Sequence, residues 1–163
     1  MKVFTTVAGL MSALTLVVSP VTARVDSYTS TLLRTAQDVG ITLALNPTRC
    51  DGSYHGMYST DRVLTVCYQG VPDAEDHDTV RHEAIHAAQH CAAAKRGYPN
   101  TIQPILQGER FKEFVRNSLD ERTIMQIVAN YPRAHHAVEL EAFASAAVYT
   151  SEEVAGILKS WCS

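Results

Sequence analysis

His82, Glu83 and His86 stand in the run Val80-Arg81-His82-Glu83-Ala84-Ile85-His86-Ala87-Ala88-Gln89, an H-E-x-x-H pattern. On an α-helix, positions i and i+4 share one face one turn apart. Two imidazoles placed in that way can reach one Zn²⁺ at about 2.0–2.1 Å each. Glu83, beside the first histidine, can then take a proton from a water in the open coordination position and act as general base. His90 follows one turn after His86. A straight row of three ligands at i, i+4 and i+8 would spread over about 12 Å of helix rise, too far for one metal. His90 therefore reads as a residue behind the ligands or at the surface.

A hydrolytic zinc ion takes three protein ligands and keeps a fourth place open. The run Ala137-Val138-Glu139-Leu140-Glu141-Ala142-Phe143-Ala144-Ser145 offers the third. Plotted as a helix, Ala137, Leu140, Phe143, Ala144 and Ala147 form an apolar stripe, with Glu139 and Glu141 on its two opposite flanks. Only one of them can face a metal, and periodicity does not choose.

An H-E-x-x-H helix followed by a second helix carrying E-x-x-A resembles the gluzincin metallopeptidases. In that family two histidines and a glutamate hold zinc. Glu141-Ala142-Phe143-Ala144-Ser145 is similar to the Glu-Gly-Phe-Ala-Ser of the aminopeptidase branch, which makes Glu141 the expected ligand. Glu139-Leu140-Glu141-Ala142 resembles the E-x-E-A of membrane-linked and small gluzincins, which makes Glu139 the alternative. Many gluzincins place an aspartate four residues after the ligand glutamate, where it orients a ligand histidine. Here Ser145 follows Glu141 and Phe143 follows Glu139 at that spacing, so the orienting group has no assignment.

The resemblance implies a zinc-dependent peptidase with a small zincin-like α+β fold and a peptide or protein substrate. His82, His86 and Glu141 would hold Zn²⁺, and Glu83 would activate water and return the proton to the leaving amine. The strand ahead of the active helix, Arg62 to Tyr68, would offer a free edge to an extended peptide. His135, His136, Tyr131 and Tyr149 are candidates to stabilise the oxyanion. The alternative function is a catalytically weak zinc-binding or protein-interaction module of the cell envelope. A di-iron site would need a second E-x-x-H, which the chain lacks.

The elements that must position these residues are legible in outline. Leu32, Leu33, Ala36 and Val39 recur at helical spacing between Tyr28 and Val39, with Ser27 as N-cap and Gly40 as stop. Ile41–Leu45 reads as a strand ended by Asn46-Pro47, and Cys50–Tyr58 as a Gly-rich stretch with a second short strand. Arg62–Tyr68 is the clearest strand, apolar on both faces. The zinc helix is expected over about Asp78–Arg96, capped by Asp76 or Asp78 and stopped by Gly97. An EF-hand reading of Asp73, Glu75, Asp76 and Asp78 lacks the central glycine and the closing glutamate. Two helical patterns fill Pro104–Asn130 with a break near Asn117-Ser118. One more runs from Pro132 to about Tyr149, and a last starts at Ser151-Glu152-Glu153 and reaches Lys159.

The 163 residues, 46% hydrophobic and 19% charged with net charge −3, fit one domain and give no basic footprint for nucleic acid. Residues 1–23 resemble an export signal: Lys2, an apolar Val7–Val18, Pro20, then Val21-Thr22-Ala23 as the cleavage site. That apolar run is short of the about 20 residues a membrane span needs, so residues 24–163 are expected as a single domain without a span, secreted or periplasmic. The four cysteines fall in that part and form no C-x-x-C pair. In an oxidising compartment they are expected to pair as Cys50–Cys67 and Cys91–Cys162.

Overall fold

A computed structural model of the chain describes residues 27–48, 50–52, 54–68 and 73–163. The export signal expected at 1–23 lies outside the described residues. The order of elements is α1 (Ser27–Asp38), β1 (Thr42–Leu45), β2 (Gly56–Ser59), β3 (Val63–Val66), α2 (Ala74–Lys95), α3 (Gly108–Ser118), α4 (Glu121–Asn130), a 3₁₀ turn (Arg133–His135), α5 (His136–Val148) and α6 (Ser151–Cys162). This is the expected mixed α+β architecture, predominantly helical with one small sheet.

The organising element is α2, buried continuously from His82 to Ala93. Ala84, Ala87, Ala88, Ala92 and Ala93 are fully enclosed and let neighbours approach closely. A helix enclosed on most sides shows no single apolar stripe, because every face meets a neighbour. α1, α5 and α6 pack against it, and β2 and β3 cover a further face. Leu32 and Ala36 of α1, Leu64 and Val66 of β3, and Val154 and Leu158 of α6 join Ile85 in one core.

The helix begins earlier than its sequence suggests. Asp73, not Asp76 or Asp78, is the N-cap: it accepts from the Glu75 and Asp76 amides at 2.9 and 3.2 Å. Asp76 Oδ2 accepts the Asp73 amide in return at 2.9 Å, completing a capping box. The extra turn carries Glu75 and Asp76 at the positive end of the helix. At the other end of the chain, Thr150 rather than Ser151 caps α6, again with a capping box to Glu153, and the helix runs past Lys159 to Cys162. Pro132 starts a 3₁₀ turn instead of a helix.

The strand order is β1-β3-β2, with β1 parallel and β2 antiparallel to β3. β3 pairs on both sides, so the expectation that Arg62–Tyr68 offers a free edge is wrong; β2 is the edge that lies beside α2. The apolar character of both faces of β3 was the mark of an interior strand. Arg62, at φ +63° in the turn before it, donates from Nε and Nη2 to the Gly40 and Val39 carbonyls, placing a cation at the C-terminus of α1.

Both cysteine pairs are disulfides as expected, with Cα–Cα distances of 5.5 Å for Cys50–Cys67 and 5.2 Å for Cys91–Cys162. They point to an oxidising, extracellular environment. Among the described residues no helix is long and apolar enough to cross a membrane.

Candidate metal centre

α2 places His82 and His86 on one face with their Nε2 atoms 3.0 Å apart. α5 crosses that face and brings Glu139 to them: its Oε2 lies 3.3 Å from His82 Nε2 and 3.5 Å from His86 Nε2. One ligand atom from each of the three residues falls within 4.8 Å of the others, and all three residues are buried. Glu139, the alternative of the two glutamates, is thus the one the structure brings to the histidines; Glu141 is turned away from them.

The donor set fits a metal ion on the evidence of its unmet needs. Glu139 Oε2 has no aligned hydrogen-bond donor among the described residues despite both close imidazoles. A buried polar atom in that state costs free energy unless something else satisfies it. Two imidazole nitrogens and a carboxylate oxygen converging on one point are the donors that Zn²⁺ prefers. A buried His82, His86, Glu139 group could therefore hold a metal ion.

Charge coupling in the cluster follows from its burial. Burial opposes ionisation of Glu139, but the two histidines outweigh it and hold the carboxyl down to about 2. Burial likewise works against a charged His86, while Glu139 and Glu83 more than compensate and raise its pKa. Burial pushes the Glu83 carboxyl above its ordinary range against the pull of His86 and His82. Glu83 Oε2 has no hydrogen-bond partner among the described residues, although a backbone hydrogen bond from Tyr58 reaches the carboxyl.

Gln89, three residues after His86, is fully buried. His86 Nδ1–H donates to its Oε1 at 2.8 Å, and its amide donates to the Val138 carbonyl at 3.0 Å and to Glu141 Oε2 at 2.8 Å. Glu141 also accepts the Ile105 amide at 2.7 Å and the Leu106 amide at 2.6 Å. This explains how a carboxylate can be buried so deeply: three N–H donors face it. Phe143 meets the His82 ring edge-on, centroids 4.4 Å apart. His90 is buried, not at the surface. It accepts the Tyr58 hydroxyl at Nδ1 (2.8 Å) and donates from Nε2 to the Pro99 carbonyl (2.7 Å), pinning β2 to α2. Burial pushes the Tyr58 phenol up to about 12.

A cleft passes the centre. Two cavities of about 620 Å³ each meet at Gly56, His82, Glu83 and Tyr131. The edge strand β2 forms one wall, and Gly56 lets it approach: a Cβ there would stand 2.5 Å from Thr79 Cγ2 and 2.8 Å from Glu83 Cγ. Of the oxyanion candidates, Tyr131 lines both cavities and His135 one. His136 is half-buried and donates to the Tyr131 carbonyl at 2.8 Å. Tyr149 stacks on Phe114, with centroids 5.9 Å apart and planes 17° apart, and lines neither cavity.

Sequence reasoning passed over Gln89, Phe143 and Gly56 as members of the site. Gln89 carried a usable signal: it is a lone amide at i+3 from His86 in an alanine-rich segment. The roles of Gly56 and Phe143 depend on how β2 and α5 dock, which local pattern does not state. No family model, curated protein or solved structure matches this chain.

Proposed function

We propose that this protein is an exported zinc-dependent peptidase of gluzincin type, with His82, His86 and Glu139 as its metal ligands. The observation that carries the reading is the convergence of those three buried ligand atoms directly beside Glu83, whose unpartnered Oε2 sits where two cavities join. A structural metal site would be closed by a fourth protein ligand. Among the described residues the group contains three, and it borders two joined cavities of about 620 Å³ each.

Zn²⁺ bound there supplies Lewis-acid polarisation of a carbonyl and makes a water acidic near neutral pH. The chain's own residues do the rest. Glu83 accepts the proton of the attacking water and returns it to the amine as the C–N bond breaks. β2 presents the free sheet edge along the cleft, so an extended substrate can be held by main-chain hydrogen bonds. Tyr131 and His135 are the donors near the place where oxyanion charge develops. Glu139 as ligand aligns the chain with the small-gluzincin E-x-E-A pattern.

Two measurements test the proposal together. Purified protein should contain one zinc per chain, and a diverse peptide library should be cleaved by wild type and not by Glu83→Gln, which should retain the metal. Protein that holds no zinc after purification and dialysis against it would overturn the metal reading. Zinc-replete protein that cuts nothing would overturn the peptidase and leave the binding module.

A further inference from the structure

Gln89 and Glu141 form a buried polar relay that reaches the metal group through His86. The orientation of the Gln89 amide is set by its partners. Its nitrogen faces a carbonyl oxygen and a carboxylate oxygen, Val138 O and Glu141 Oε2, so its oxygen must face His86 Nδ1. A carboxamide oxygen only accepts, hence His86 Nδ1 carries a proton. That fixes the tautomer in which the Nε2 lone pair points at Glu139 Oε2 and His82 Nε2.

Glu141 is the anchor of the relay. It is 2% exposed and accepts from Gln89, Ile105 and Leu106, so its position is set by the backbone of the segment between α2 and α3. Arg96 ties the same segment down by donating to the Pro104 and Ile105 carbonyls, at 2.7 Å each. Ile102 of this segment lines the cavity beside His86. The cleft wall and the second ligand histidine are therefore held by one continuous set of hydrogen bonds.

We propose that Gln89 and Glu141 are positioning residues that hold His86 in its Nδ1–H form with Nε2 aimed at the metal, doing the work of the orienting aspartate whose expected place is taken by Phe143. The inference rests on the metal reading above. His82 has no such partner: its Nδ1 has no hydrogen bond among the described residues, and Phe143 fixes its ring by contact. The two ligand histidines are thus oriented by different means, one by a relay and one by packing.

The test is zinc affinity by competition with a chromophoric chelator, read beside thermal stability of the metal-free proteins. Gln89→Leu removes the acceptor at nearly constant volume and should weaken zinc binding about 10–100-fold. Glu141→Gln leaves one acceptor oxygen to meet three N–H donors and should weaken it about tenfold, far short of what losing a ligand costs. Thr150→Ala removes the capping box at the start of α6, where the Thr150 side chain bonds to Glu153, and is the control. It should lower the melting temperature and leave zinc affinity within about twofold of wild type. In metal-free protein with His86 neutral, its ¹⁵N signals should report an Nδ1–H imidazole in wild type and lose that assignment in Gln89→Leu. Equal zinc affinity in wild type and both relay variants would overturn the proposal while leaving the metal site intact. So would a loss in Thr150→Ala as large as that in Gln89→Leu, because it would mark a general effect of instability. No zinc in wild type overturns the metal reading and the relay with it.

Discussion

Glu139 Oε2 lies 3.3 Å from His82 Nε2, and this contact joins α5 to α2 through buried ionisable groups of both helices. Two residues further on, Glu141 serves a different set of partners. Replacement of the two glutamates should therefore separate by magnitude. Glu139→Ala removes a proposed ligand and should reduce zinc affinity by well over a hundredfold, beyond the about 10–100-fold span typical of residues behind a ligand. Equilibrium zinc content after dialysis checks it. Retention of zinc by Glu139→Ala would mean that another group completes the site.

The same contact predicts a pH profile for the metal-free protein. The Glu139 carboxyl is held at about 2 against an ordinary 4.5, so the folded state keeps it charged while the unfolded chain takes up a proton. Its stabilising contribution is present above pH 4.5 and is lost as pH falls toward 2. His86 is raised above 6.5, so its contribution is present below 6.5 and is lost as pH rises through the folded-state value. Chelator-treated protein should gain most from this cluster between about pH 4.5 and 6.5. Zinc needs unprotonated imidazoles, so zinc-loaded protein should instead gain stability as pH rises above 6.5. Melting temperature against pH, with and without zinc, measures both limbs. Glu139→Gln should flatten the metal-free profile; an unchanged profile would show that the coupling is not there.

Gly56 brings the edge strand against α2. With Thr79 Cγ2 at 2.5 Å and Glu83 Cγ at 2.8 Å from where a Cβ would stand, Gly56→Ala must displace either β2 or the Thr79 and Glu83 side chains. Overpacking of this kind costs about 1–3 kcal/mol. The expected result is a lower denaturant midpoint with an unchanged slope, zinc content retained, and peptide turnover reduced because Glu83 is moved. A midpoint equal to wild type would mean that β2 does not pack here as described.

Much of this arrangement is written locally. The i, i+4 histidines, the Leu32/Ala36 stripe of α1 and the stop at Gly97 follow from spacing and residue type, because helices answer to short-range rules. The choice between Glu139 and Glu141 does not. The two lie on opposite flanks of one apolar stripe, and which flank faces α2 depends on the crossing of two helices far apart in sequence. The place of β3 is of the same kind. Its residues mark a strand, but only the returning β2, short and opened by Gly56, decides which strand keeps a free edge. Asp73 was overlooked as cap because Asp76 and Asp78 offer the same chemistry nearby; the capping box needs the reciprocal Asp76 contact to distinguish them.

Cys91 lies on α2 five residues beyond His86, and its bond to Cys162 closes a separation of 71 residues. Loop-closure entropy assigns such a cross-link about 4 kcal/mol, against about 3 kcal/mol for the separation of 17 at Cys50–Cys67. The longer link holds α6 on α2, whereas His86 is oriented from the opposite direction by Gln89. Cys91→Ala with Cys162→Ala should therefore lower the melting temperature of zinc-free protein by roughly 10 °C, while zinc affinity measured below that transition stays within about threefold of wild type. Calorimetry and chelator competition on the same preparation check the pair of outcomes. A large loss of affinity at unchanged fold would show that the disulfide, and not only the hydrogen-bonded relay, sets the position of the metal helix.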